Sequence, residues 1–170
     1  LSRRTKRQNI WKYAFAYCKT LQEIEFPDSL QEIGDRAFFY SGLTGTLNLP
    51  KKNLTKIGEE AFASCSSLTG DLTIPDSVTS LGSGAFEGCT GLNGKLTLPN
   101  NLKTIASRTF YECKKLSGEL KIPDSVETIG SRAFGGGNTY SGAYSSSTNS
   151  QLTFSENSQL KTIESYAFYG

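Results

Sequence analysis

Residues 68–91 read LTGDLTIPDSVTSLGSGAFEGCTG, residues 92–115 read LNGKLTLPNNLKTIASRTFYECKK, and residues 116–134 read LSGELKIPDSVETIGSRAF. Six positions stay apolar in all three: a leading Leu (Leu68, Leu92, Leu116), an alternating pair before proline (Leu72/Ile74, Leu96/Leu98, Leu120/Ile122), then Val78, Leu102 or Val126, then Leu81, Ile105 or Ile129, and the Phe, which follows Ala in two units and Thr109 in the other. Working outward, Phe returns at a constant stride, at Phe38, Phe62, Phe86, Phe110 and Phe134. Phe15 precedes Phe38 by one position less than that stride, and Phe168 follows Phe134 by ten more, so the array extends to both ends with a short deletion and a longer insertion. Self-similarity at such a period marks units that bury their apolar faces only against their neighbours.

Spacing within a unit assigns its parts. Apolar–polar–apolar before the proline has the two-residue period of a short strand with one wet face. Pro27, Pro50, Pro75, Pro99 and Pro123, all the prolines of the chain, end that strand, because proline supplies no N–H and turns the chain aside. A second extended piece such as Ser77–Leu81 follows. The Gly-x-x-Ala-Phe-x-x-Cys stretch after it fits one tight helical turn, being too short for more. Glycine after the leading Leu (Gly45, Gly70, Gly94, Gly118) lets the backbone re-enter the next strand. Stacked in register, strands of successive units pair in parallel about 4.8 Å apart.

The string L-x-I-P-x-S-V-x-x-I-G-x-x-A-F-x-x-C-x-x-L, nearly complete at 72–92 and from 120 on, resembles the BspA-type (treponemal) leucine-rich repeat. The resemblance implies an α/β leucine-rich-repeat solenoid, a right-handed arc of short parallel strands with tight helical turns on the other side. It further implies a non-enzymatic protein-interaction module of a bacterial surface or secreted protein, extracellular in location, with an adhesive role toward proteins or glycans of host or neighbouring cells. Local departures are Ser41 and Gly137 for Cys, Thr109 for Ala, Ala106 and Glu164 for Gly, and Ser155 for Pro. The family defines no catalytic residue to carry over.

Residues 1–9 form a basic N-terminal segment with Arg3, Arg4, Lys6 and Arg7, read as part of a truncated repeat. Residues 10–170 form one repeat domain of about six units, interrupted by a Gly/Ser/Tyr-rich insertion at 135–151. The chain opens without Met and ends within a repeat, which suggests a piece of a longer protein whose open ends favour end-to-end self-association. Net charge is +2 with acidic and basic residues interleaved, as at Asp71, Lys95 and Glu119, so no basic face for nucleic acid is expected. No apolar run approaches the roughly 20 residues that cross a bilayer, so this segment is not expected to insert into a membrane.

The 170 residues contain no His, which removes the most frequent general base and the usual triads. Asp28, Asp76 and Asp124 recur in Pro-Asp-Ser turns and read as turn caps. No cofactor or metal is expected: the four Cys form no Cys-x-x-Cys pair, and Cys18, Cys65, Cys89 and Cys113 share one slot of their units and stack inward as free thiols. The candidate binding surface is the outward strand row, Glu25, Asn48, Thr73, Thr97, Lys121 and Thr153, together with Tyr140 and Tyr144 of the insertion, whose aromatic-on-polar composition suits adaptable contact loops. A spacer displaying other domains of the same protein is the alternative to a binding module.

Overall fold

A computed structural model describes residues 8–136 and 151–170. The register of the Phe residues holds throughout. Phe38, Phe62, Phe86, Phe110 and Phe134 are wholly buried, and each ring stacks on the next with centroids 5.1–5.9 Å apart and planes within 15°. Phe15 and Phe168 extend the stack at its ends, each 5.2 Å from its neighbour. Parallel rings at these separations are offset rather than eclipsed, which suits their quadrupoles. Leu72, Val78, Leu92, Ile105, Leu116 and Ile129 and their equivalents fill the rest of the core.

Two rows of short parallel strands flank this stack. After the prolines run β2 (Leu30–Ile33), β3 (Lys56–Ile57), β5 (Ser80–Leu81), β7 (Thr104–Ile105), β9 (Thr128–Ile129) and β11 (Thr162–Ile163), with β1 (Gln8–Ile10) paired to β2 at the start. Before the prolines run β4 (Leu72–Thr73), β6 (Leu96–Thr97), β8 (Glu119–Lys121) and β10 (Gln151–Thr153). The expected strand is missing ahead of Pro27 and Pro50, where only a Gly45–Leu68 bridge forms. The spacing there explains it. The leading leucines Leu68, Leu92 and Leu116 keep the stride of the rings, whereas Leu43 comes early after Leu21 and Leu68 comes late after Leu43, so backbone groups in that row fall out of step.

The helical turn expected around each Phe is not formed, and the described residues contain no helix. Hydrogen bonding gives the reason. In the Phe62 unit, the N–H groups of Ala61, Ala63 and Cys65 close tight turns onto Gly58, Glu60 and Phe62, while the alternate N–H groups of Glu60, Phe62 and Ser64 donate to Ser83, Ala85 and Glu87 of the next unit, at 2.7–2.9 Å. A helix would spend every N–H on its own carbonyls; here every second one leaves the unit. The alternation requires positive φ two positions before and after the ring, as at Glu60 (50°) and Ser64 (60°), and Gly84 and Gly88 fill those places in the next turn. A non-glycine residue there costs about 1–2 kcal/mol, which the cross-unit bonds offset.

Glycine recurs before each turn at Gly34, Gly58, Gly82 and Gly130 because the preceding unit's backbone leaves no room: a β-carbon on Gly82 would lie 2.5 Å from the nitrogen of Glu59. The Phe110 unit has Ala106 in this column and Thr109 where every other turn has Ala. There the strand rows come apart. β5 and β7 belong to separate sheets, as do β6 and β8, so the unit pairs with its predecessor through β4–β6 and with its successor through β7–β9. The Phe86–Phe110 separation of 5.9 Å is the widest in the stack. Glu164 also brings a β-carbon to the column and keeps its bond to Ile129 at 2.9 Å, so Ala106 acts together with the added bulk of buried Thr109, whose hydroxyl donates back to Ala106 O at 2.7 Å.

All four cysteines are free, as expected. The Cys65, Cys89 and Cys113 thiols donate to the carbonyls of Phe38, Phe62 and Phe86 at 3.0–3.1 Å. Burial pushes the Cys113 thiol up to about 12 and raises Cys65 and Cys89 as well. Ion pairs also run between units, notably Glu127, which receives Lys161 at 2.6 Å and Lys103 at 3.2 Å from the units on either side.

This packing makes three outcomes measurable. Phe86→Ala lowers unfolding free energy by about 3–5 kcal/mol, since it empties the middle of the stack, as read by denaturant titration. Ala106→Gly combined with Thr109→Ala closes the gap between β5 and β7 and raises stability by about 1 kcal/mol, one recovered hydrogen bond; amide exchange at residues 104–106 slows in step. The third concerns acid. The Lys161 hydrogen bond, then that of Lys103, holds the Glu127 carboxyl below its ordinary range, so its contribution is complete above the unfolded value of about 4.3 and is lost as pH falls through the lower folded value. The Tm gap between wild type and Glu127→Gln, followed from neutral pH to about pH 2, therefore vanishes at the acid end.

Candidate interaction surface

The pre-proline strands alternate one side chain in, one side chain out. Leu72, Leu96 and Leu120 are buried, while Thr73, Thr97 and Lys121 are exposed. Register sets Thr73 opposite Thr97 and Lys121 opposite Thr153. The post-proline turns rise beside this row and form the second wall of an open groove of about 710 Å³, with Lys51, Lys95, Glu119, Asp76, Asn100 and Asp124 around the strand residues. The groove lies across the place where β6 and β8 fail to pair.

Of the residues expected on this surface, Thr73, Thr97 and Lys121 are brought together in the groove. Thr153 is half-buried and its hydroxyl donates to Glu119 at 3.2 Å, beyond the groove's edge. Glu25 and Asn48 are exposed on irregular chain ahead of Pro27 and Pro50, away from the groove. Tyr140 and Tyr144 lie outside the described residues. The wall of turn residues was not anticipated as part of the surface. Its signal was the residue after each proline, Lys51, Asp76, Asn100 and Asp124, a column of which only the aspartates were read, as turn caps.

Asp76 bonds across units rather than within its own turn: its carboxylate accepts the Asn100 N–H at 2.9 Å and the Asn100 side-chain amide at 3.2 Å. Asp124 accepts the Ser155 hydroxyl and Glu119 that of Thr153. The groove carboxylates are thus engaged within the fold. The groove lysines are not: among the described residues Lys51, Lys95 and Lys121 make no ion pair, whereas Lys52, Lys56, Lys103 and Lys161 are paired to Asp28, Glu32 and Glu127. The donors to the groove carboxylates are neutral and leave the carboxylate charges in place, so the groove presents lysine and carboxylate charges side by side on a floor of small side chains. Among the described residues no cluster of His, Cys, Asp or Glu suits a metal ion, and no helix is long and apolar enough to cross a membrane.

The architecture has solved counterparts. A leucine-rich repeat protein of Bacteroides ovatus superposes with a TM-score of 0.63 at 28% identity, over 92% of this chain and 46% of that one. The Treponema pallidum leucine-rich repeat protein gives 0.58 at 28% identity, over 72% of this chain and 65% of that one. A leucine-rich cell surface protein of Faecalibacterium prausnitzii gives 0.53 at 30% identity, over 75% and 40%. The chain thus spans less than two thirds of the length of each of these proteins. No curated protein matches it. The BspA type leucine-rich repeat region matches over residues 3–93 and 69–170, in six copies, and with the Phe stack and the parallel strand rows this places the chain in the BspA-type leucine-rich repeat family.

Proposed function

We propose that this chain is a non-enzymatic protein-interaction module, one that acts outside the cell in an adhesive role, and that its strand-face groove is the contact surface. The observation that carries the reading is the contrast between lysines. Lys52, Lys56, Lys103 and Lys161 are paired across units, while among the described residues Lys51, Lys95 and Lys121 border the groove without an ion pair. Unpaired ammonium groups set among carboxylates above a floor of threonines suit a protein partner of complementary mixed charge, and opposite charge across an interface sets approach rate and orientation. Repeat arrays commonly bind along such a continuous face. Family membership and the surface location of the Faecalibacterium counterpart support the extracellular setting.

Adhesion of the purified chain to immobilised host matrix proteins, to epithelial cells and to other bacteria tests this. Lys95→Glu with Lys121→Glu is expected to reduce adhesion about tenfold or more, two reversed rim charges each costing on the order of 1 kcal/mol, with Tm unchanged because both side chains are exposed. Unaltered adhesion would assign the segment to the spacer role, displaying other domains of the same protein.

A further inference from the structure

The turn edge carries a second concavity, distinct from the groove. Among the seven turns only that of Phe134 has glycine at both positions following the ring, Gly135 and Gly136; the turns before and after place Tyr111 and Tyr169 first in this pair. The missing side chains leave a cavity of about 570 Å³ lined by Tyr111, Arg132, Gly136, Tyr166, Tyr169 and Gly170. Its shape depends on the glycines. A β-carbon on Gly136 would come within 3.0 Å of the Tyr111 ring, and one on Gly135 within 3.1 Å of the Tyr169 carbonyl.

Tyr111 and Tyr169 directly follow Phe110 and Phe168, which are separated by two ladder steps of 5.4 and 5.2 Å. A ring lying between two others needs about 7–8 Å, twice the usual carbon–carbon contact distance; two steps of the Phe ladder exceed that, so the spacing of the turns leaves room for one, with the Arg108 guanidinium over the Tyr111 ring at 4.7 Å. The third ring, Tyr166, meets Tyr169 edge-on at 5.5 Å.

Charge narrows the chemistry. Arg36 binds Glu60 in its own column one unit on, at 2.9 Å, and Arg108 binds Glu87 one unit back. The positions equivalent to those two carboxylates around Arg132 are Tyr166 and Tyr111. Among the described residues Arg132 therefore has no carboxylate partner, and its guanidinium lies over the Tyr166 ring at 5.5 Å. A guanidinium beside aromatic faces fits a ligand with one carboxylate on a compact ring. An added peptide strand is disfavoured because the main chain of the floor is already committed: Gly135 N–H donates to Arg132, Gly136 N–H to Tyr169, and the Gly135 carbonyl accepts from Glu112.

We infer that this cavity is a recognition site for an acidic sugar, a uronic or sialic acid residue whose ring lies between Tyr111 and Tyr169 and whose carboxylate pairs with Arg132. Tyrosine faces accept the C–H side of a pyranose, and their hydroxyls are free to bond its own.

Calorimetric titration of the intact chain with 3′-sialyllactose and glucuronate, against lactose and glucose as neutral counterparts and a short oligoglutamate peptide, tests the site. The acidic sugars bind with millimolar dissociation constants and at least about tenfold more tightly than the neutral ones. Arg132→Gln erases that preference, Arg132→Lys retains part of it, and Tyr169→Ala weakens the acidic sugars about tenfold. All three keep the wild-type Tm, since both side chains are exposed. Lys95→Glu with Lys121→Glu leaves sugar binding intact, which separates this site from the strand-face groove. Equal binding of acidic and neutral sugars, no binding of either acidic sugar at millimolar concentration, binding of oligoglutamate alone, or acidic-sugar binding indifferent to Arg132→Gln would each overturn the inference.

Discussion

Every second backbone N–H in the turn around each buried Phe crosses to the next unit, and this one arrangement dictates most of what surrounds it. A donor that bonds its neighbour at a fixed height permits no drift, so the turns from Phe38 to Phe134 repeat at a constant interval even where the strands ahead of Pro27 and Pro50 do not. It forbids a helix, imposes left-handed backbone on residues as unsuited to it as Tyr13, Arg36 and Tyr166, and brings chains close enough that Gly58 and Gly82 tolerate no β-carbon. The rings then stack because the backbone has set their spacing. Burial of those rings supplies the apolar driving force; the cross-unit bonds supply the geometry.

The turn ladder continues past Phe110, but the strand rows do not. The bonds Phe86 N–H to Thr109 and Phe110 N–H to Ala133 are both 2.8–2.9 Å, so the unit is held on its turn side. On its strand side it pairs backward through β6 and forward through β7. The groove sits over the resulting interruption, so the proposed contact surface coincides with a break in the strand row.

Much of this was legible in the chain. The Phe stride, the prolines and the alternating Leu72–Ile74 pattern announced units, turns and wet strand faces, and Thr73, Thr97 and Lys121 emerged on one surface as their spacing implied. The form of the turn was not legible, for a physical reason. A short apolar–polar pattern does not distinguish a turn of helix from alternating tight turns, because the deciding quantity is where each N–H donates, and for Phe62 that acceptor is Ala85, in the following unit. The wall beside the strands escaped for a related reason. Asp76 and Asp124 read as local caps, whereas both line the groove beside the strands and bond to the following unit. The unpaired state of Arg132 was equally hidden, since it depends on Tyr166, on the far side of the insertion.

The thiol ladder has a consequence for how such a chain matures. Each sulfhydryl of Cys65, Cys89 and Cys113 is enclosed among apolar neighbours and bonded to a phenylalanine carbonyl, with its thiolate form suppressed. Exchange chemistry needs an accessible thiolate, and no cross-link contributes to the fold. Formation of this core therefore requires neither an oxidant nor a disulfide isomerase, and the three buried thiols stay the same in oxidising surroundings as in reducing ones.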